Sequence, residues 1–266
     1  VSGTMDQIAS AVGAGNLTEG MITESTGTCM AILGTVDDRI FEKANNIQVY
    51  NHVMPNKYLA LNLCKTAGII LKWFKDEFCE SEINESISTG QNVYDILGEM
   101  ANQVAPGSNG LIMTPYFSGV LHPDTLPLVR GVFFGVGLDT NKADFIRAIF
   151  EGIGFMLREN LELFQNIGIA IHKIVSLGGG AKSRVWQQIK SDITKTPIET
   201  LQETECTSLG AAILAACALK WYPTIEEASM KNVRKYTAKP QENVYKIYDE
   251  LYQKYLLIHS RTKDIF

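Results

Sequence analysis

The sequence predicts an α/β domain: a mixed β-sheet flanked by helices. Three observations point there. Short β-like runs crowd the first quarter of the chain, strands and amphipathic helices alternate after it, and an apolar strand runs directly into the glycine-rich turn Gly178-Gly179-Gly180-Ala181-Lys182-Ser183 and a helix. Strands first and strand–helix alternation later are the pattern of a sheet with helices packed on its faces.

Taken in order, residues 2–15 are a Gly-bounded segment with a helical core at 7–12, stopped by Gly13 and Gly15. Runs at 21–26, 29–34, 47–54 and 58–63, separated by turn residues, read as an antiparallel meander. Residues 67–78 and 93–103 have helical periodicity. Residues 110–116 read as a buried strand, 118–128 as a Pro-rich loop and 130–137 as a strand with alternating Val132, Phe134 and Val136. Residues 142–166 form a long helix whose apolar stripe is Phe145, Ile149, Ile153, Met156, Leu157 and Leu161. A strand at 172–177 leads through the glycine turn to a helix at 184–194, and an Ala- and Leu-rich helix follows at 206–219. The last forty or so residues read as polar and helical, with a break at Pro240 before a closing helix. We see no internal repeat.

Composition removes several function classes. The 266 residues are 45% hydrophobic and 20% charged, ordinary for a globular chain. A chain of this length buries roughly three quarters of its unfolded surface, so it needs no covalent staple. Five cysteines, an odd number without a CxxC pair, read as reduced thiols of a cytoplasmic protein. His52, His122, His172 and His259 have no ligand spacing, so no metal site is expected. A net charge of -5 gives no footprint for nucleic acid or an anionic membrane. The longest apolar run, 209–219, is about half of a membrane span. The chain opens at Val1 without an initiator Met and reads as a piece of something longer.

Four segments could carry chemistry. The glycine turn opens a helix, where bare backbone N–H groups attract anions. It is not a P-loop, because Ala181 rather than Gly precedes Lys182, and not a dinucleotide fingerprint, because Ser183 stands where the last Gly belongs. The glycines alone fit an ordinary turn equally well. Glu24-Ser25-Thr26-Gly27-Thr28 places a Gly among hydroxyls at a hairpin tip, which suits a phosphate or a plain β-turn. Gly3-Thr4-Met5-Asp6-Gln7 offers an Asp that its spacing alone explains as a helix cap. Gly210, Ala211 and Ala212 in the 206–219 helix permit very close packing on a neighbour.

The order of these segments is more specific than any one of them. GTMDQ, AVGAG, STGT, GLIMTPYFSG, RGVFFG, RAIFEGIGFMLREN, SLGGGAKSRVWQQIKSDITKTPI and ECTSLGAAILAA together resemble the C-terminal domain of the FGGY carbohydrate kinases, a group that includes xylulokinase, gluconokinase and glycerol kinase. The resemblance runs from residue 2 to about residue 236 and is most specific over 176–216. It implies an actin-like ATPase fold with ribonuclease H-like domains around a cleft, and ATP-dependent phosphorylation of a sugar or polyol with Mg²⁺. Residues 1–266 would be the nucleotide-binding domain, the N-terminal sugar-binding domain being absent from this chain. By position, Asp6 matches the catalytic Asp and Gln7 a polyol contact. Gly27 and Thr28 match the phosphate hairpin, and Gly68 a glycine near the phosphates. Gly179, Gly180 and Ala181 match the adenosine motif, and Arg184 a side chain along the adenine.

Two departures stand out. Gly119-Val120-Leu121-His122-Pro123 lacks the Glu and Arg of the family's G-E-R-x-P, and no D-x-G-T motif precedes Asp6. The fragment is therefore expected to fold without turning over sugar, and to expose an apolar face near Asp6 that the missing domain or a second copy covers. The alternative implied by the same fold is a non-catalytic nucleotide-binding or regulatory module.

Overall fold

A continuous apolar run, Met30, Ala31, Ile32 and Leu33, buried throughout, anchors the first hairpin. β1 (Gly20–Thr26) and β2 (Met30–Val36) pair antiparallel, with Thr26 opposite Met30 across the tip. The structure, a computed structural model, describes residues 3–37, 47–121 and 125–266; Val1, Ser2, His122 and Pro123, all named or spanned in the sequence reading above, lie outside these. β3 (Gln48–Asn51) and β4 (Tyr58–Cys64) form a second hairpin, but β4 is the strand that pairs with β2. The expected meander is thus corrected: β3 lies outermost. Burial explains the order. Leu59, Ala60, Leu61 and Asn62 are buried in succession and suit a strand flanked on both sides. Gln48 and Asn51 are exposed and tolerate an edge.

Among the described residues seven strands form one mixed sheet in the order β3-β4-β2-β1-β7-β8-β9. A small separate ribbon pairs β5 (Ile112–Thr114) with β6 (Val132–Phe134). β7 (Ile171–Leu177) runs parallel to β1, and β8 (Ile198–Leu201) parallel to β7. β9 (Arg234–Ala238) closes the edge antiparallel, so the C-terminal stretch is not wholly helical as the sequence suggested. Its charged, largely exposed residues are those of an edge strand, and Arg234 pairs with Glu199 across the ladder.

Helices cover both faces. On one side α1 (Asp6–Gly13) packs on Ala31, Leu33, Leu59 and Leu61 through Ile8 and Ala11. The order of the remaining helices is α2 (Gly68–Phe78), α3 (Glu80–Thr89), α4 (Val93–Gln103), α5 (Lys142–Asn166), α6 (Arg184–Thr194), α7 (Cys206–Ala218), α8 (Ile225–Ser229) and α9 (Tyr245–Thr262). α5 begins with a capping box between Asn141 and Asp144 and buries Ile149, Ile153, Met156 and Leu157. Together with α6 and α9 it fills the opposite side against Ile22, Ile32 and Ile174. α3 has no counterpart in the sequence reading, because it buries only Glu82 and so lacks an apolar stripe.

α7 lies against α1 at a glycine crossing. A methyl group on Gly13 would collide with the Cys206 carbonyl, and one on Gly210 with the Ala9 carbonyl. The outer side of α7 exposes Ala211, Ala212, Ala215 and Ala218, and Leu219 follows it. No helix among the described residues is long and apolar enough to cross a membrane.

Candidate active site

Chain segments far apart in sequence converge on one cavity of about 410 Å³. Thr26, Gly27 and Thr28 reach it from the β1–β2 tip, and Gly68, Ile69 and Lys72 from the start of α2. Asn92, Tyr94 and Asp95 come from the start of α4. Gly179, Gly180 and Lys182 come from a 3-10 turn, with Ser183 and Trp186 from the start of α6 and Phe150 from α5.

Backbone hydrogen bonds hold these segments together. Gly68 N–H donates to the Gly27 carbonyl at 2.8 Å and Ala67 N–H to that of Thr28 at 2.9 Å, so α2 starts on the hairpin tip. Asn92 caps α4 by accepting from Tyr94 N–H at 2.9 Å, and Ser183 caps α6 by accepting from Trp186 N–H at 3.3 Å. Gly178 has φ +73, a conformation open to glycine, which lets the chain leave β7 and turn at once into the 3-10 segment.

The wall chemistry suits an anion joined to a flat ring. Three helices, α2, α4 and α6, start at the cavity, and the positive ends of their dipoles favour negative charge there. A side-chain carbon added at Gly27 or Gly179 would meet nothing within 4 Å and would project into free space, as in a cradle kept open for a ligand. At Gly68 it would lie 2.5 Å from the Gly27 carbonyl oxygen, and at Gly180 2.7 Å from Thr26 Cβ, so those backbones are close-packed behind the cradle. Trp186 stacks on Phe150 with ring centroids 4.6 Å apart and planes 7° from parallel, and its Nε1–H donates to the Phe150 carbonyl at 3.2 Å. That flat apolar wall stands beside the half-exposed ring of Tyr94.

The structure thus brings Gly27, Thr28, Gly68, Gly179 and Gly180 to one cavity. Ala181 is buried beside them, its N–H donating to the Gly178 carbonyl at 3.2 Å. Arg184 is exposed, and its guanidinium lies 5.3 Å from the centre of the Tyr236 ring. Asp6 is the exposed first residue of α1, with Met5 in the cap position, and its Oδ1 accepts from Gln7 N–H at 2.7 Å. Asp6, Gln7, Ala181 and Arg184 are not among the residues lining the cavity. Sequence reading missed Asn92, Tyr94, Asp95, Phe150 and Trp186. Asn92 carried a usable signal as a cap residue before a helical run. Phe150 and Trp186 gave none that separates them from ordinary core residues. Among the described residues, no group of three or more His, Cys, Asp and Glu side chains could hold a metal ion.

The family described as FGGY family of carbohydrate kinases, C-terminal domain, matches residues 20–219. A xylulose kinase of Staphylococcus epidermidis is 34% identical over 267 residues, covering 99% of this chain and 51% of the relative. A gluconokinase of Bacillus subtilis is 34% identical over 220 residues, covering 82% of this chain and 42% of the relative. The crystal structure of a xylulose kinase from Rhodospirillum rubrum superposes with a TM-score of 0.87 at 23% identity, over 99% of this chain and 51% of that one. The chain spans about half the length of the curated relatives it matches. Its mixed sheet flanked by helices is the actin-like ATPase fold of these neighbours. On sequence and fold together, this chain belongs to the FGGY family of carbohydrate kinases and matches their C-terminal domain.

Proposed function

We propose that residues 1–266 are the nucleotide-binding half of an ATP-dependent carbohydrate kinase of xylulokinase type, with Asp6 as its catalytic base. The observation that carries this is the convergence of the β1–β2 tip, the start of α2 and the glycine turn on one cavity. Its glycine and helix-terminus side suits the phosphates of ATP, and its Trp186–Phe150 wall suits the base. Arg184 would leave Tyr236 to lie along that base.

Phosphoryl transfer needs positioning, charge neutralisation and removal of a proton from the attacking hydroxyl. Gly27, Thr28 and Gly68 would hold the phosphate end, and Gly179, Gly180 and Ala181 the nucleoside end. Mg²⁺, held mainly by phosphate oxygens and water rather than by protein carboxylates, would supply charge neutralisation at the phosphate end. Asp6 would accept the proton of the sugar hydroxyl, and Gln7 would contact the substrate. The relatives' extra length corresponds, in this proposal, to an N-terminal sugar-binding domain that completes the cleft. The free cysteines support a reducing, cytoplasmic setting.

The test is ADP release by the polypeptide that joins this chain to such a domain, measured against pentuloses, polyols and aldonates. One class should drive turnover, while the 266-residue chain alone should bind nucleotide without turnover. ADP release indifferent to every sugar would overturn the proposal.

A further inference from the structure

The nucleotide cavity rests on a charge pair that solvent does not reach. Glu24 on β1 and Lys190 on α6 are both 0% exposed, with Lys190 Nζ 2.7 Å from Glu24 Oε1. Lys190 Nζ also donates to Thr26 Oγ1 at 2.8 Å, and Thr26 Oγ1 in turn donates to Glu24 Oε2 at 2.7 Å. Ser176, two residues before Gly178, donates to Glu24 Oε1 at 2.5 Å. One carboxylate thus anchors both loops of the cavity: the hairpin tip through Thr26 and the glycine turn through Ser176.

We infer that Glu24 and Lys190 are positioning residues for nucleotide, acting through Thr26; the inference rests on the nucleotide reading of the cavity given above. Thr26 is the link because it lines the cavity itself. Its hydroxyl is held inward by one donor and one acceptor, which fixes the side-chain rotamer. Its methyl carbon is thereby aimed at the glycines on either side. Added side-chain carbons at Gly180 and Gly68 would lie 2.9 Å and 3.9 Å from Thr26 Cγ2. Another Thr26 rotamer would move that methyl carbon away from its place behind the Gly68 and Gly180 backbones. Fold stability alone does not call for charge here, since a well-packed apolar pair of similar volume is commonly as stable as a buried ion pair. The pair supplies something an apolar pair cannot: opposite hydrogen-bonding partners that give Thr26 a single orientation. Lys190 Nζ also lies 4.9 Å from the centre of the Trp186 ring, on the other wall of the same cavity.

The experiment titrates the 266-residue chain with ADP and Mg²⁺ by calorimetry and follows thermal unfolding in parallel. The double variant Glu24→Met/Lys190→Met keeps volume and removes both charges. Thr26→Val keeps shape and removes the hydroxyl. Both are expected to bind ADP about tenfold or more weakly, the size of one charge-assisted polar contact, while the double variant stays folded but melts below the wild type, because the buried hydroxyls of Ser176 and Thr26 lose their acceptor. A folded double variant with wild-type ADP affinity overturns the inference, as does wild-type affinity in Thr26→Val. Should the double variant fail to fold, Thr26→Val decides alone. If the wild-type chain itself takes up no ADP, the nucleotide reading fails first and the inference falls with it.

Discussion

Asp6→Asn exchanges one carboxylate oxygen for an amide at the first residue of α1. The shape and the hydrogen bond to Gln7 N–H survive, and the proton acceptor is lost. If Asp6 is the general base, kcat in the complete kinase should fall by about 10²–10⁴ with nucleotide affinity unchanged. If Asp6 serves only the helix, the substitution should cost about 0.3–1 kcal/mol of stability from the lost charge–dipole interaction and leave the rate alone. Measuring kcat beside the unfolding midpoint separates the two. At this scale the sequence was legible wherever backbone geometry demands one residue type. Gly27, Gly68, Gly179 and Gly180 sit where a side chain would fill or crowd the cradle, so glycine in a hairpin tip or turn carries the information. Trp186 was illegible because an aromatic at an inward helical position serves a core and a ligand wall alike. Glu24 and Lys190 were illegible for another reason: 166 residues apart, they meet only once β1 and α6 are packed.

The α1–α7 crossing shows how small residues act at the level of elements. Gly210→Ala would press a methyl group into the Ala9 carbonyl, and overpacking of this kind typically costs about 1–3 kcal/mol. Thermal unfolding should register that loss, and an unchanged midpoint would mean that the helices do not approach this closely. β3 is held by a different device. The imidazole of His52 accepts from Met54 N–H at Nδ1, 3.0 Å, so the neutral ring carries its hydrogen on Nε2 and donates to the Asn16 carbonyl at 3.1 Å. Burial, aided by nearby Lys57 and opposed by the Asn16 contact, holds the His52 pKa below its usual 6.5. The unfolded chain then binds the proton more readily than the folded one. The stabilisation is complete above pH 6.5 and declines as pH falls through the lower folded value. Unfolding midpoints between about pH 7 and 5 should drop less steeply in His52→Gln than in the wild type; equal slopes would remove His52 from the acid response. Element boundaries were readable where an apolar stripe or cap was present, as in α5. They were not readable in α3, which carries only Ile83 and Ile87 among polar residues and buries neither, or in β9, whose charged edge reads as helix.

For the whole molecule, strand–helix alternation after a strand-rich start was enough for the mixed sheet. The pairing of β4 with β2 was not, because strand order depends on which strand can be buried on both flanks. The outer alanines of α7 form an apolar surface beside α1. The proposed function depends on the cavity being a nucleotide site. The most direct measurement is ADP binding by Gly179→Leu compared with the wild-type chain. A Cβ at Gly179 would meet no protein atom within 4 Å and the position is exposed, so unfolding stability should stay within about 0.5 kcal/mol of wild type. Its bulk would occupy the cradle, so calorimetry should show ADP binding in the wild type and none in the variant. Undiminished ADP binding by folded Gly179→Leu would contradict the account and place the nucleotide elsewhere on the chain.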